Sequence, residues 1–388
     1  MKKIWTFVLT GGPCSGKTTA LSIIEQQLSK RGYYVLVVPE SATELINSGL
    51  RPFGGSLNVI DFQKAVFEYQ LEKEKLFLKY AQKLPYKKIV IVYDRGCMDG
   101  KAYLTKEQFA NLLSYFQMNE LYARGHYDAI FHLVTAADGA EKFYTLANNK
   151  ARMESAEEAI NADDLTLRSW VGHPHFCIID NSTNFESKMS RLMAEIYSVL
   201  GDPVPIKHQK KYLIKKPSSS LLTYNLPIEK VDITQSYLHS SKKSERKIRQ
   251  VGKNGNFFYY YSEKTYISGS EFLKCERRIT DREYLSYISE IDPLICTIKK
   301  QRLFFVYQNQ YFTIDTFSLS PNTSATNSFT FWPDQAILEI NLTSENSIIE
   351  IPEFIEVIKD VTDCPDYRNY YIAKHQGFGA NSKVPNNA

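Results

Sequence analysis

Apolar positions in this chain follow two different rhythms, and the change between them divides it. Residues 4–10 form a short, mostly apolar run, which predicts a buried strand, and across residues 17–31 Leu21, Ile24 and Leu28 fall on one helical face. The alternation repeats. Strands are predicted at 33–38, 88–93, 129–135 and 176–180, a long helix at 57–84 is stopped by Pro85, and capping boxes at Thr105 and Thr183 open helices through Tyr115 and Leu200. On the long helix, Phe62, Val66, Tyr69, Leu76 and Tyr80 form the stripe expected in the core. Strands alternating with helices predict an α/β domain with a parallel sheet flanked by helices.

Beyond residue 220 the rhythm changes to Tyr-, Phe- and Ile-rich segments at 257–261, 303–307, 311–317 and 336–342. Asn254-Gly255 and Gln308-Asn309 suit hairpin turns, and helices are expected only at 281–288 and 352–358, so this part is mainly β. Between the two halves, PVPIKHQKKYLIKKP (203–217) carries Lys207, Lys210, Lys211, Lys215 and Lys216 with no acid, and Ser218 to Ser220 follow. The expected organisation is therefore a nucleotide-binding domain at 1–204, a basic linker at 205–220, a β domain at 221–374 and a tail at 375–388. Solvated linker lysines and contact with an anionic membrane surface both account for the basic run.

With 388 residues, 43% apolar and 23% charged, the chain has ordinary globular composition and length for two domains. Six cysteines with no CxxC pair argue against a disulfide scaffold or a zinc site and for a reducing compartment. A net charge of +4 is small, so no nucleic-acid partner is expected. The apolar start at 4–9 is too short for a signal peptide, and no run is long enough to span a bilayer. These features predict a cytoplasmic protein, peripheral at membranes if the lysines act there.

The chemistry concentrates in Gly11-Gly12-Pro13-Cys14-Ser15-Gly16-Lys17-Thr18, a full GxxxxGK[ST] match between a strand and a helix, with Thr19 following. The loop's N–H groups and the helix N-terminus suit phosphates. Lys17 suits the outer phosphates and Thr18 suits Mg²⁺. The expected ligand is a nucleotide, GTP or ATP, and no motif in these residues chooses between the two bases. Glu40 and Asp94 close predicted strands, so both should face the loop. Asp94 suits the Mg²⁺ sphere, while Glu40 is either a general base or a helix cap. In the interval 136–175, Arg152 and Arg168 are candidate lid cations, and His173 and His175 lack metal spacing and are read as structural.

LTGGPCSGKTT, VVPESATELI, YDRGCMDGKAYL and GHPHFCIIDNSTNFESK together resemble the NadR-like AAA domain of proteins of the TRPL translocation defect type. The resemblance covers most of residues 4–200. It implies a nucleotide-binding domain related to small-molecule kinases, followed by a CYTH-like domain, in proteins that bind GTP and phosphoinositides and act in membrane trafficking.

The period-two cations Lys247/Arg249 and Lys300/Arg302 each point to one face of a strand, as a phosphate-binding surface or the solvent face of a sheet. A CYTH domain is a triphosphate tunnel that opens on a Glu-x-Glu-x-Lys signature. The corresponding stretch looks like residues 232–236, with Asp232 as its one acid, and Glu339-Ile340-Asn341 keeps one of two later acids. The resemblance leaves Lys247, Arg249, Lys264, Arg278, Lys300 and Arg302 as anion ligands and Asp315 as a metal or structural acid. Three functions follow as expectations: a nucleotide-regulated protein binding a phosphorylated partner such as a phosphoinositide, a small-molecule kinase, and a tunnel triphosphatase.

Overall fold

The computed structural model describes residues 2–52, 54, 57–141, 155–202, 208–217, 226–241, 244–268, 271–318, 334–344 and 347–375. The chain separates into two units, 1–200 and 201–388. In the first, β1 (Lys3–Thr10), β2 (Tyr34–Val38), β3 (Lys88–Asp94), β4 (Ala129–Leu133) and β5 (Phe176–Ile179) form a parallel sheet in the order β2-β3-β1-β4-β5. Each strand reads as an apolar run because helices cover both faces of such sheets. Val8, Leu9, Ile89, Ile130 and Leu133 are fully buried. The helices are α1 (Lys17–Lys30), α2 (Ser41–Asn47), α3 (Val59–Ala81), α4 (Lys106–Tyr115), α5 (Glu120–Gly125), α6 (Ala156–Ser169) and α7 (Phe185–Leu200). β1 lies between β3 and β4, so the strand order changes direction there, and the crevice beyond its C-terminal end is where ligands of open α/β sheets bind.

The long helix differs from its expected packing. Tyr69, Leu76 and Tyr80 are exposed, and the buried face instead carries Phe62, Phe67, Gln70, Lys73, Glu74 and Ala81. Polar partners make that possible. Ser41 donates to Gln70 (2.6 Å), Gln70 donates to Glu74 (2.8 Å), and Glu74 also accepts from Tyr127 and contacts His126 at 2.8 Å. A buried face built on satisfied polar groups leaves no apolar stripe to read.

The second unit is an antiparallel sheet. It comprises β6 (His208–Lys215), β7 (Ile228–Leu238), β8 (Ser244–Lys253), β9 (Asn256–Ser268), β10 (Glu271–Ile279), β11 (Ile298–Tyr307), β12 (Gln310–Ser318), β13 (Gln335–Leu342) and β14 (Val357–Asp360), in the order β10-β9-β8-β7-β11-β12-β13-β6-β14. α8 (Asp281–Ile288) and α9 (Asn369–His375) complete it. Both expected hairpin turns occur, with positive φ at Asn254, Gly255, Gln308 and Asn309.

Two expectations fail here. The basic segment is not a linker at 208–215: those residues are β6, paired with both β13 and β14, because Leu213 and Ile214 are buried between the lysines. Lys207 and Ser218 to Ser220 lie outside the described residues, as do 376–388 of the expected tail. The helix expected at 352–358 is absent. Ile351, Phe354 and Ile355 join the sheet's apolar cluster, and Val357 starts β14.

Candidate functional site

The phosphate-binding loop is built by backbone that only certain residues allow. After β1 the chain takes positive φ at Gly11 (144°), Cys14 (55°) and Gly16 (90°), and α1 then starts at Lys17. A Cβ on Gly11 would fall 2.2 Å from the Leu133 carbonyl oxygen, and one on Gly12 would fall 2.7 Å from Asp163, so neither position tolerates a side chain. Ser15 is buried, Pro13 and Cys14 are half-buried, and Thr18 and Thr19 are exposed on the first turn of α1. Lys17 Nζ lies over the loop and donates to the carbonyl oxygens of Gly11 (2.9 Å) and Gly12 (3.1 Å) and to Ser15 Oγ (3.3 Å). Burial lowers Lys17 to about 8, with Arg95 adding to the effect and Asp94, Glu40 and Asp99 opposing it. Lys17 thus shares its field with Arg95 and three carboxylates, two at strand ends and Asp99 in the turn after β3.

Asp94 closes β3 opposite Leu9, where Oδ1 is buried with no hydrogen-bond partner among the described residues. Burial holds its carboxyl above the usual range, although Lys17 opposes this. A carboxylate oxygen left without a partner beside a phosphate loop suits a divalent cation. Glu40 stands at the N-cap position of α2 without making a cap bond. It accepts from Thr43 Oγ1 (2.7 Å) and pairs with Arg95 Nε (2.8 Å). Against the cost of burial, Arg95 holds Glu40 below the usual carboxylate range, which makes it a weaker base.

Several residues of this site escape motif reading. Arg95, at φ 67°, joins Glu40 to Asp99 (3.1 Å). The buried Asp99 also accepts from Thr10, from the Gly96 amide (2.8 Å) and from Trp170 Nε1 (3.3 Å). The signal was the second acid of YDRGCMDG, five residues after the first. Asp163 on α6 and Lys188 on α7 approach the loop from behind. Arg152 lies outside the described residues, and Arg168 pairs with Asp164 one turn earlier on α6 (2.6 Å). His173 is buried, contacts the Tyr127 carbonyl (3.1 Å) and accepts from the His175 amide, and burial lowers it to about 3.

In the second unit, strand register brings the expected cations to one face. Directly paired residues share a face. Lys300 pairs with Ile233, and two residues on Gln235 pairs with Arg249. Lys247 pairs with Ser262 and Glu245 with Lys264, while Tyr260 and Ser262 face Arg278 and Glu276. Arg302 pairs with Asp315, Thr313 with Glu339, and Glu339 with Lys211. Lys211, assigned above to the linker, therefore joins this face. Asp232 does not: it is exposed on the opposite face, and β6, not β7, is the first strand of this sheet along the chain. The opposite face is apolar, with Ile214, Phe305, Phe312, Leu338 and Ile340 at its centre. At one end α9 lies over the charged face, where Ile372 and Ala373 pack against Leu213, Ile298 and Ile337.

Acids on this face hold the cations. Arg302 forms a two-point contact with Asp315 (2.6 and 2.7 Å), and Lys300 reaches the same carboxylate (2.6 Å). Asp315 thus accepts from both cations. Despite burial, Arg302 and Lys300 keep it well below the usual range, whereas burial lowers Lys300 to about 8 because Arg302 partly offsets the attraction of Asp315. Glu339 contacts Lys211 at 3.6 Å, Glu245 contacts Lys247 at 3.4 Å and Glu276 contacts Arg249 at 2.6 Å. Arg278 stacks over Phe258 at 4.5 Å. Arg249 Nε is buried with no hydrogen-bond partner among the described residues. No group of three metal-ligating side chains occurs among the described residues.

A family model described as an AAA domain matches residues 6–188. No curated protein matches the chain. Among solved structures, one of an inorganic triphosphatase is 18% identical with a TM-score of 0.30, over 44% of this chain and 96% of that one. A second, described as a hypothetical protein, has the same identity and TM-score over 44% and 98%. Likeness at that distance carries no statement about this chain. Among the described residues no helix is long and apolar enough to cross a membrane. The strand, glycine-shaped loop and capping lysine, found where the family model matches, make residues 6–188 an AAA-type nucleotide-binding domain.

Proposed function

We propose that the protein is a nucleotide-regulated binding protein: the loop domain holds GTP or ATP with Mg²⁺, and the charged face of the second unit binds a phosphorylated partner such as a phosphoinositide headgroup. Thr18 and Asp94 fit the ion, which would neutralise phosphate oxygens. The observation that carries the second half is Arg249, whose buried Nε–H has no acceptor among the described residues on a face where Lys247, Lys264, Arg278 and Lys211 also lie. A phosphate oxygen would satisfy such a donor. The resemblance to TRPL translocation defect proteins supports the phosphoinositide and a trafficking role. The acids of this face contact its cations, which favours binding over metal-assisted hydrolysis.

The test is titration of the full chain with GTP and ATP, with and without Mg²⁺, and flotation with vesicles carrying single phosphoinositides. Lys247→Gln with Arg249→Gln should abolish headgroup preference and leave nucleotide affinity unchanged. Flotation unaffected by those changes, or no headgroup preference in the wild type, would overturn the reading. A small-molecule kinase is the second reading, favoured by Glu40 and Asp94 converging on Lys17. Screening small hydroxyl compounds as phosphoryl acceptors, with Glu40→Gln as control, decides it. The pairing of Glu40 with Arg95 weighs against a strong base there.

A further inference from the structure

We propose that Asp163 and Lys188 are a pair of positioning residues that set the phosphate-binding loop through one shared peptide group, Val134–Thr135; this rests on the nucleotide-binding reading above. The side chains come from different helices and are both buried, at 4% and 3% exposure. Lys188 Nζ donates to the Val134 carbonyl (2.8 Å), and the Thr135 amide of the same peptide unit donates to Asp163 Oδ2 (3.2 Å). A carboxylate and an ammonium thus sit at the two ends of one peptide dipole. Each also grips the loop. Asp163 Oδ1 accepts from the Gly12 amide and lies 3.2 Å from His132 Nε2, while Lys188 reaches the Ser15 carbonyl (3.4 Å) and Asn181 Oδ1 (2.7 Å).

Two further bonds complete the attachment. Thr135 Oγ1 donates to the Pro13 carbonyl, and the Ala136 amide donates to the Cys14 carbonyl (3.4 Å). Gly12, Pro13, Cys14 and Ser15 are each tied to segment 134–136 or to its two charges. The consequence follows from peptide planarity, since in a trans peptide the C=O of one residue and the N–H of the next point in opposite directions. With the carbonyls of Pro13, Cys14 and Ser15 tied backward, the amides of Cys14, Ser15 and Gly16 are directed away from that attachment. Successive amides directed one way form an anion-binding concavity. The two buried charges therefore determine how well the loop presents donors to phosphate.

The experiment measures affinity of the full chain for GTP and ATP with Mg²⁺, using Asp163→Asn, Lys188→Gln, the double variant, Lys188→Arg and the milder Thr135→Val, with folding checked by circular dichroism. Each neutralising single change should weaken binding by about 30-fold or more, because it removes one of the two charges that hold the shared peptide and leaves the other buried with less compensation. The double variant should lose at least about tenfold less than the product of the singles. Lys188→Arg should stay within a few-fold of wild type, and Thr135→Val should cost about tenfold. A purely structural role would lower thermal stability while leaving the affinity of the folded variants unchanged. That outcome, or losses that multiply, overturns the proposal; if the singles do not fold, Thr135→Val at wild-type affinity overturns it. Wild-type protein that binds neither nucleotide sinks the nucleotide reading and this inference together, which separates the two failures.

Discussion

Replacing Asp315 by Asn removes one charge at nearly constant shape, and the consequence can be worked out from its neighbours. Asp315 is buried among Lys300 and Arg302, with three contacts of 2.6 to 2.7 Å, and the next acid, Glu339, lies 3.9 Å from Arg302. Breaking a buried ion pair by removing one partner costs about 3–5 kcal/mol, because the remaining charge is left uncompensated. For a unit of this size, each kcal/mol moves the midpoint by roughly 2–4 °C, so the melting temperature of the sheet should fall by roughly 6–20 °C. Hydrogen exchange of β11 and β12 in the full chain isolates that unit from the first. Acid titration adds a second measurement. The native carboxyl of Asp315 is depressed, so its contribution is present above the ordinary carboxylate pKa and is lost as pH falls through the native value. Asp315→Asn should remove that part of the acid sensitivity. Inorganic triphosphate should stabilise the variant more than wild type, since the two released cations then accept an anion. A loss below about 1 kcal/mol would mean that water screens the pair as at a surface, and the argument for a desolvated face would fail.

Lys17→Ala should abolish nucleotide binding with the fold retained, because among the described residues the hydrogen bonds of Lys17 Nζ go to its own loop; circular dichroism beside nucleotide titration measures both. Thr18→Ala should weaken binding mainly when Mg²⁺ is present, and equal loss with and without the metal would contradict its role. Lys17 titrates near 8 and phosphate favours its ammonium form. Affinity should therefore be full below that value and fall as pH rises through it, by at most about tenfold per unit from Lys17, to which Lys188 adds in the same direction. Lys17→Arg, charged throughout, should flatten the part due to Lys17; calorimetry from pH 7 to 9.5 tests this.

The nucleotide loop was legible because its chemistry is local: eight consecutive residues between a strand and a helix specify glycines, lysine and threonine in fixed places. The position of Asp94 at the end of β3 was legible for the same reason, as an acid closing an apolar run. Asp163 and Lys188 were not, because the contacts that matter lie 151 and 173 residues away along the chain. The apolar stripe assigned to α3 failed where buried polar groups replace apolar ones: Gln70 and Glu74 are core because Ser41, Tyr127 and His126 satisfy them. β6 was mistaken for a linker because lysines dominate it. Alternation explains it afterwards, with Lys211 and Leu213 on one face of the sheet and Tyr212 and Ile214 on the other.

Under the proposed function, the two units answer one physical requirement differently. An anion site needs donors that neither repel one another apart nor collapse onto nearby acceptors before the anion arrives. In the first unit the donors are backbone amides, and the solution is to tie their carbonyls behind the loop, as at Pro13, Cys14 and Ser15. In the second the donors are charged side chains, and each carboxylate restrains one or two of them: Asp315 holds Arg302 and Lys300, Glu339 holds Lys211, and Glu276 holds one arm of Arg249. Two-point pairing leaves Arg302 little to offer a ligand, whereas Arg249 keeps a buried N–H without an acceptor among the described residues. Specific recognition should therefore centre on β8 to β10, around Lys247, Arg249 and Arg278. Exchanging Arg249 for Lys, which keeps the charge and loses the fork, should reduce headgroup discrimination more than exchanging Arg302 for Lys.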